Sequence, residues 1–283
     1  MAKLLDVKAN FDWAETRGKK LVVFLPHYSN PQFTRFSLEQ IRTQIDPKDY
    51  LIVVGNDNVE ENWGGFYDQN VRSFTLLHDT KGPRNGAFIR NYCLRRCESE
   101  WIMQKDGEVV VTGDFIYRII NCHVPWRAGR IYVLSDVRTA EMLQNGVNWL
   151  LDSSGLQPTK ITELTVATNA YHVKEILEQA DGRVNPTTYF HYAYAAPTAI
   201  FSKIGGYDED YTHYGWEDAD VFCRLFHNGI YLAPDYCCAA IHPHHPKAAD
   251  CTPENLLAMR QLFVKKSPAD YFRNKTKEWG QGV

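Results

Sequence analysis

Leu21-Val22-Val23-Phe24-Leu25-Pro26 is a run of five apolar residues closed by a proline. It has the length of a strand and no polar face, so it reads as a buried strand. Working outward, helix and strand signals alternate. Pro31 to Ile45 carries Phe33, Phe36, Leu38, Ile41 and Ile45 near helical spacing. Leu51 to Val54 reads as a second buried strand, ending at Gly55-Asn56-Asp57-Asn58, and Val71 to Leu77 as a third. Ala87 to Cys97 reads as a helix, and Trp101-Ile102-Met103 as a fourth strand running into Asp106-Gly107-Glu108. Strands that alternate with helices predict an α/β fold with a central, mostly parallel sheet covered on both faces. Ligands of such sheets gather at the carboxyl ends of strands. Asn56–Asp57 and Asp106–Glu108 both fall at such ends.

The second half is read in the same way. Gly113 to Val124 is an expected helix and Ile131 to Leu134 a strand. Residues 140–190 have weak periodicity with scattered Gly and Pro, and are expected to mix helix and loop. Ala195 to Phe201 reads as a strand, Glu217 to His227 as a helix and Ile230-Tyr231-Leu232 as a strand. Pro253 to Lys266 is an expected helix, with Thr252 as its cap and Pro253 in its first turn. A polar tail follows from Ser267. The sequence holds no internal repeat.

With 283 residues, 44% of them hydrophobic, the chain can bury a large core, and one α/β domain over 1–283 accounts for it. The formal charge of -3, from 31 basic and 34 acidic residues, gives no general pull toward nucleic acid or an anionic membrane. No stretch is apolar for the ~18 residues of a membrane span, and Met1 to Asn10 has no signal-peptide core. A cytoplasmic protein is expected. Seven cysteines, with Cys237 and Cys238 adjacent, fit reduced thiols better than a disulfide framework.

Three stretches carry chemistry. In Asp106-Gly107-Glu108, two acids one residue apart in a turn can aim both carboxylates to one side, as a divalent cation bound to a diphosphate requires. The alternative is an ordinary polar turn. The second stretch is Phe201-Ser202-Lys203-Ile204-Gly205-Gly206-Tyr207-Asp208-Glu209, followed by Tyr214-Gly215-Trp216-Glu217-Asp218-Ala219-Asp220, Arg224-Leu225 and Gly229. Paired glycines permit a tight turn. Glu217 and Asp218 open a helix, where the dipole favours carboxylates. They can be capping acids, or a base that takes a proton from an attacking hydroxyl. Trp216 beside them offers an aromatic wall for a sugar ring. The third stretch is Ile241-His242-Pro243-His244-His245. It offers imidazole ligands for a metal, a surface cluster, or a structural zinc site with nearby cysteines. There is neither a Gly-X4-Gly-Lys-Ser/Thr loop nor a Gly-X-Gly-X2-Gly fingerprint.

The stretch from Ile200 to Gly229 resembles the Gly-Gly-Phe-Asp-Glu … Gly-Trp-Glu-Asp … Arg-Leu … Gly pattern of inverting GT-A glycosyltransferases. It is similar to family 2 enzymes and to the C-terminal motif of the β-1,4-galactosyltransferases. The N-terminal signals follow in the same order: Leu21 to Pro26 resembles the opening strand, and Asn56-Asp57-Asn58 the turn that holds the nucleoside. Ile89-Arg90-Asn91 resembles the Ala-Arg-Asn segment that lies against the nucleotide, and Asp106-Gly107-Glu108 stands in the place of Asp-X-Asp. The likeness runs from about Leu21 to His245. It departs from the pattern in ending the metal motif with Glu and in reducing the usual Asp-Asp turn to Asp57 alone.

This resemblance implies a GT-A fold with a nucleotide-sugar-binding half over about 20–112, an acceptor-binding and catalytic half over about 113–266, and a tail at 267–283. It implies metal-dependent, inverting transfer of a hexose or N-acetylhexosamine from a nucleotide-sugar, UDP-linked, to an acceptor hydroxyl. Pro26, Tyr28, Asp57, Arg90 and Asp106 fall to the donor. Glu108, Asp106 and His242, with His244 as second choice, fall to Mn2+ or Mg2+. Asp218 is the expected base and Glu217 orients the acceptor, with exchanged roles open; Tyr214, Gly215 and Trp216 face the acceptor. The acceptor is a glycan or another hydroxyl compound, a modified base included, whereas extended nucleic-acid binding is not expected. Two alternatives stay open: a non-catalytic nucleotide-sugar or glycan-binding protein on the same scaffold, and a sugar nucleotidyltransferase.

Overall fold

The computed structural model describes residues 3–42, 44, 48–66, 70–79, 86–111, 115–122, 125–146, 193–230, 232–247 and 249–266. Its strands are β1 (Leu4–Ala9), β2 (Leu21–His27), β3 (Tyr50–Asp57), β4 (Val71–His78), β5 (Trp101–Lys105), β6 (Val110–Val111), β7 (Trp126–Val133), β8 (Ala193–Pro197) and β9 (Ala233–His242). Its helices are α1 (Pro31–Arg42), α2 (Gly86–Arg96), α3 (Phe115–Cys122), α4 (Asp136–Asn145), α5 (Thr198–Ile204), α6 (Glu217–His227) and α7 (Pro253–Lys266). Among the described residues, nine strands form one sheet in the order β1-β4-β3-β2-β5-β8-β7-β9-β6.

The expected α/β architecture is the one found. Strands β4, β3, β2 and β5 are mutually parallel, and β7 runs parallel to β9. The pairs β1·β4, β5·β8, β7·β8 and β6·β9 are antiparallel. Side chains of β2 alternate between two cores, as a period of two demands. Val22 and Phe24 join Phe88, Tyr92, Phe201, Val221 and Phe263 from α2, α5, α6 and α7. Leu21, Val23 and Leu25 join Leu38, Ile41, Phe115 and Ile119 from α1 and α3. Both faces are covered, so the strand has no polar side to show. No helix among the described residues is long and apolar enough to cross a membrane.

Several elements differ from the sequence reading. Leu4–Ala9, with interspersed charges and no element assigned to it from the sequence, is an edge strand on β4. The strand expected over Ala195 to Phe201 runs instead over Ala193–Pro197, and the chain turns helical at Thr198. Gly205, at φ +77°, closes that helix by donating to the carbonyls of Phe201 and Ser202, the left-handed stop that glycine allows. The strand expected at Ile230 to Leu232 is found at neither Ile230 nor Leu232, Tyr231 lies outside the described residues, and β9 starts at Ala233. Residues 228–230 are used to cap α6: Asn228 donates to Arg224 and Leu225, and Ile230 to Leu225. By contrast α6 and α7 have the expected bounds. Thr252 caps α7, its Oγ1 accepting from the Asn255 amide at 3.2 Å.

Candidate active site

Strand order places a crevice. From β2 the chain steps to β3 and β4 on one side, then returns to lay β5 on the other side of β2. Open α/β sheets bind ligands at such a reversal, outside the carboxyl ends of the strands. Pro26 contributes to it: β2 and β5 are paired only as far as Phe24 and Gln104, and a proline has no N–H with which to extend that ladder. Beyond this point the turn after β5 folds across the end of β2. A Cβ on Gly107 would lie 2.5 Å from the Pro26 carbonyl oxygen. Only glycine lets the Asp106-Gly107-Glu108 turn sit this close.

Glu108 leads into β6, whose two residues pair with Ala240 and Ile241 of β9. This pairing brings Glu108 to the end of β9, where Glu108, His242 and His245 each offer a ligand atom within 4.8 Å of the others. Glu108 Oε1 is 3.7 Å from His242 Nε2 and 3.3 Å from His245 Nε2. Burial opposes the Glu108 charge, but His245 and His242 outweigh it and hold the carboxyl down at about 2. The two imidazoles stack, with ring centroids 5.0 Å apart. His245 Nδ1 lies 2.8 Å from the Pro246 carbonyl, which can only accept, so Nδ1 carries the hydrogen. In the neutral ring this leaves the Nε2 lone pair aimed at Glu108, the orientation that metal-binding histidines show.

His244 is not in this group. Its Nε2 meets Asp136 Oδ1 at 2.9 Å, with both side chains exposed, and its backbone N–H donates to Thr139. Strand alternation would put His242 and His244 on one side. But β9 ends at His242 and Pro243 follows, so alternation lapses and His245 turns inward. Nor does Asp106 join: its Oδ1 accepts from Arg90 Nη2 at 2.6 Å.

The second acidic group opens α6. The chain enters through Gly215 at φ +100° and Trp216 at φ +72°. A left-handed tryptophan costs about 1–2 kcal/mol. The indole packs on Phe263 of α7 at 5.2 Å, which helps offset this. The preceding Gly205-Gly206 turn is held by Arg224, whose Nη1 donates to the carbonyls of Ile204 and Gly206 while Nε donates to Asp220, all in the interior. Asn91 clasps the same turn, accepting from the Tyr207 amide and donating to its carbonyl and to Glu209. Glu217 and Asp218 thus start from a rigid base. Glu217 Oε2 and Asp218 Oδ1 are both buried without a hydrogen-bond partner. Burial first, and then Asp218, push the Glu217 carboxyl from 4.5 up to about 8, with Arg90 opposing.

That shift has a sign. A carboxyl raised in the folded state favours its protonated form. Its contribution is complete below pH 4.5 and drains away as pH rises through about 8. Glu217→Gln removes the titration, so the variant is expected to melt above wild type at pH 9 and close to it at pH 5. At ~1.4 kcal/mol per unit, trimmed because the residue is partly open to water, the gain is roughly 1–3 kcal/mol. Melting curves from pH 4 to 9 test this; a constant difference would contradict it.

Other expected residues are placed as follows. Asp57 ends β3, buried, with Oδ1 3.1 Å from His78 Nε2. Asn56 beside it accepts from Trp63 Nε1 and donates to Thr75. His27 is a packing residue: it is hydrogen-bonded to Thr34, edge-on to Trp63, and burial lowers it to about 4. Tyr28 and Tyr214 are exposed, at 39% and 50%. Tyr214 donates its amide to Asp250. Arg90 is buried. The side chains of Cys237 and Cys238 lie outside the described residues. The sequence reading quoted His245 without choosing it as a ligand, placed Asn91 in a nucleotide-facing segment without its clasp on Tyr207, and missed Lys105. Lys105 is fully buried below the Asp106 turn, donating to the Asp106 carbonyl at 2.8 Å, and burial brings it down to about 7.

A family model described as the N-terminal domain of galactosyltransferase matches residues 171–238, a span that contains Glu217 and Asp218. The validoxylamine A glucosyltransferases of Streptomyces hygroscopicus subsp. jinggangensis (strain 5008) and subsp. limoneus are each 32% identical over 73 residues. That is 26% of this chain, and 17% and 16% of theirs. The chain thus spans about a sixth of the length of these relatives. Among solved structures, the mannosyltransferase PcManGT from Pyrobaculum calidifontis, in complex with GDP-Man and Mn2+, has a TM-score of 0.49 at 14% identity. The match covers 82% of this chain and 58% of that one. S. aureus TarS has a TM-score of 0.48 at 14% identity, with 89% and 41% covered.

Proposed function

We propose that this chain is a GT-A glycosyltransferase that moves a hexose or N-acetylhexosamine from a nucleoside diphosphate sugar, UDP-linked, to an acceptor hydroxyl with inversion. The observation that carries the reading is two acidic groups with the Asp106 turn between them: Glu108, two residues on from Asp106, with two imidazoles, and the Glu217–Asp218 pair, in which Glu217 Oε2 and Asp218 Oδ1 are buried without a hydrogen-bond partner and Glu217 is within reach of the Asp106 charge. Glycosyl transfer asks for both, one to meet a departing diphosphate and one to take a proton from the incoming hydroxyl. The similarity of residues 171–238 to the galactosyltransferase model and the glucosyltransferase relatives supports the same chemistry.

The donor set of Glu108, His242 and His245 fits a divalent cation. Two imidazoles favour Mn2+ over Mg2+, which prefers oxygen ligands. Such an ion supplies Lewis-acid stabilisation of the diphosphate leaving group. The chain's own residues do the rest. Asp218 accepts the acceptor proton, and Glu217, which holds the pair's proton below about pH 8, donates to and orients the acceptor. Tyr214 and Trp216 border the acceptor, while Pro26, Tyr28 and Asp57 border the nucleoside. A single base-assisted displacement inverts the anomeric carbon, giving a β-linked product from an α-linked donor.

The test is a melting panel of UDP, GDP and other nucleoside diphosphates with Mn2+, Mg2+ or no metal. A nucleotide at ~100 times its dissociation constant adds about 2.7 kcal/mol. Stabilisation by UDP that needs Mn2+ is expected. Preference for another nucleotide would change the donor, and no response to any nucleotide would remove the transferase reading.

A further inference from the structure

Arg90 carries the resemblance to a nucleotide-contacting segment, yet its surroundings point elsewhere. Its side chain is 7% exposed, and Nη2 donates to Asp106 at 2.6 Å. Its guanidinium lies over the Tyr207 ring, 5.6 Å from the centroid. Gly86, one turn earlier on α2, shows what is on the other side. A Cβ there would sit 3.1 Å from Arg90 Nη1 and 3.7 Å from Glu217 Oε1, so both groups converge on one point that only a glycine leaves open. The buried Arg90 Nε has no hydrogen-bond partner. The groups around the guanidinium are Asp106 from the turn after β5, Tyr194 from β8, Tyr207 after α5, and Glu217 and Asp218 from α6. Burial opposes its charge, but Tyr207, Asp218 and Asp106 together hold it well above its ordinary value.

We propose that Arg90 is a positioning residue: it lies between Asp106 on the donor side and Glu217–Asp218 on the acceptor side, and ties these acids together instead of binding the nucleotide. Two consequences follow from the geometry. Asp106 is drawn away from the Glu108, His242 and His245 cluster, leaving that cluster to the two imidazoles and one carboxylate. And the carboxylate pair of α6 has a fixed internal cation. Without it, burial and the neighbouring carboxyl would act on Glu217 unopposed. Arg90 thus supplies, beside the pair, a positive charge that favours a carboxylate where the base must act. The inference rests on the transferase reading above.

The probe is wild type, Arg90→Lys and Arg90→Met, with UDP and GDP titrated in Mn2+ by calorimetry. Donor hydrolysis is followed as nucleoside diphosphate release from UDP- and GDP-sugars between pH 5 and 9. For Arg90→Met, nucleotide affinity is expected to stay within about threefold. Turnover is expected to fall about 100-fold, and the acid limb of the rate profile to move up by about one pH unit or more. Arg90→Lys keeps the charge without the planar fork, so the limb is expected near its original pH with an intermediate turnover. A loss of nucleotide affinity of about tenfold or more in either variant, with the acid limb unmoved, overturns the proposal and returns Arg90 to the donor. If Arg90→Met does not fold, Arg90→Lys decides by the same affinity criterion. Wild type that neither binds nucleotide nor hydrolyses any donor would instead defeat the transferase reading itself.

Discussion

Asp218→Asn is expected to slow transfer by about 10²–10⁴-fold, the usual worth of a positioned general base, with nucleoside diphosphate binding close to wild type. The amide keeps the shape of the side chain and the start of α6, but it cannot take up a proton. Glu217 does not substitute for it, because burial and its neighbour leave Glu217 protonated up to about pH 8. Asp218 Oδ1 is buried without a hydrogen-bond partner, so under the proposed mechanism it is the atom expected to accept. Rates of nucleoside diphosphate release, set beside nucleotide affinities from calorimetry, separate the two effects. Glu217→Gln should retain far more activity than Asp218→Asn. The reverse order would exchange the roles of the two acids.

Glu108→Ala should abolish the Mn2+-dependent part of nucleotide binding. Under saturating conditions wild type gains about 2.7 kcal/mol from the nucleotide. In a chain of this size each kcal/mol is worth ~2–4 °C, so an upward shift of roughly 5–10 °C should be missing from the variant. Its melting point without ligands should itself fall at neutral pH, because the stabilisation by which His245 and His242 hold the Glu108 carboxyl at about 2 is lost with it, so the ligand shift is measured from the variant's own ligand-free melt. His245→Ala should weaken Mn2+ binding by about tenfold or more, the scale seen when a site loses an orienting or liganding group. His244→Ala should leave it unchanged, since that imidazole faces Asp136. A His244→Ala variant that lost Mn2+ while His245→Ala kept it would refute the assignment made from the geometry.

The strands were legible because burial on both faces leaves a continuous apolar run, as at Leu21 to Leu25 and Leu51 to Val54. Helix α7 was legible because Thr252 and Pro253 mark its start. The two acidic groups were visible as short motifs. The partners their members take in the fold were not, because these come from residues far away in the chain. Asp106 and Glu108 are two positions apart, yet one is met by Arg90 and the other by His242 at the end of β9 and His245 beyond it. The choice between His244 and His245 turns on where β9 stops, and a proline between two histidines does not say which way the chain leaves. Strand β1 escaped notice because an edge strand shares its face with water and carries charges. Asp57 gave no sign that His78, on the neighbouring strand, would meet its carboxylate.

The two-residue strand Val110–Val111 has a consequence for how the molecule comes into being. It joins Glu108 to the end of β9, so the candidate ion site is made of residues 134 and 137 positions apart in the chain. Contacts of such separation form late, after the loop between them has been closed at an entropic cost. During synthesis, Glu108 would emerge and pack with the parallel strands long before either histidine exists. An ion bound at this place would therefore be a marker of completion. Its affinity reports that β9, the last strand among the described residues, has been laid down, and binding it adds stability only to chains that have reached that stage.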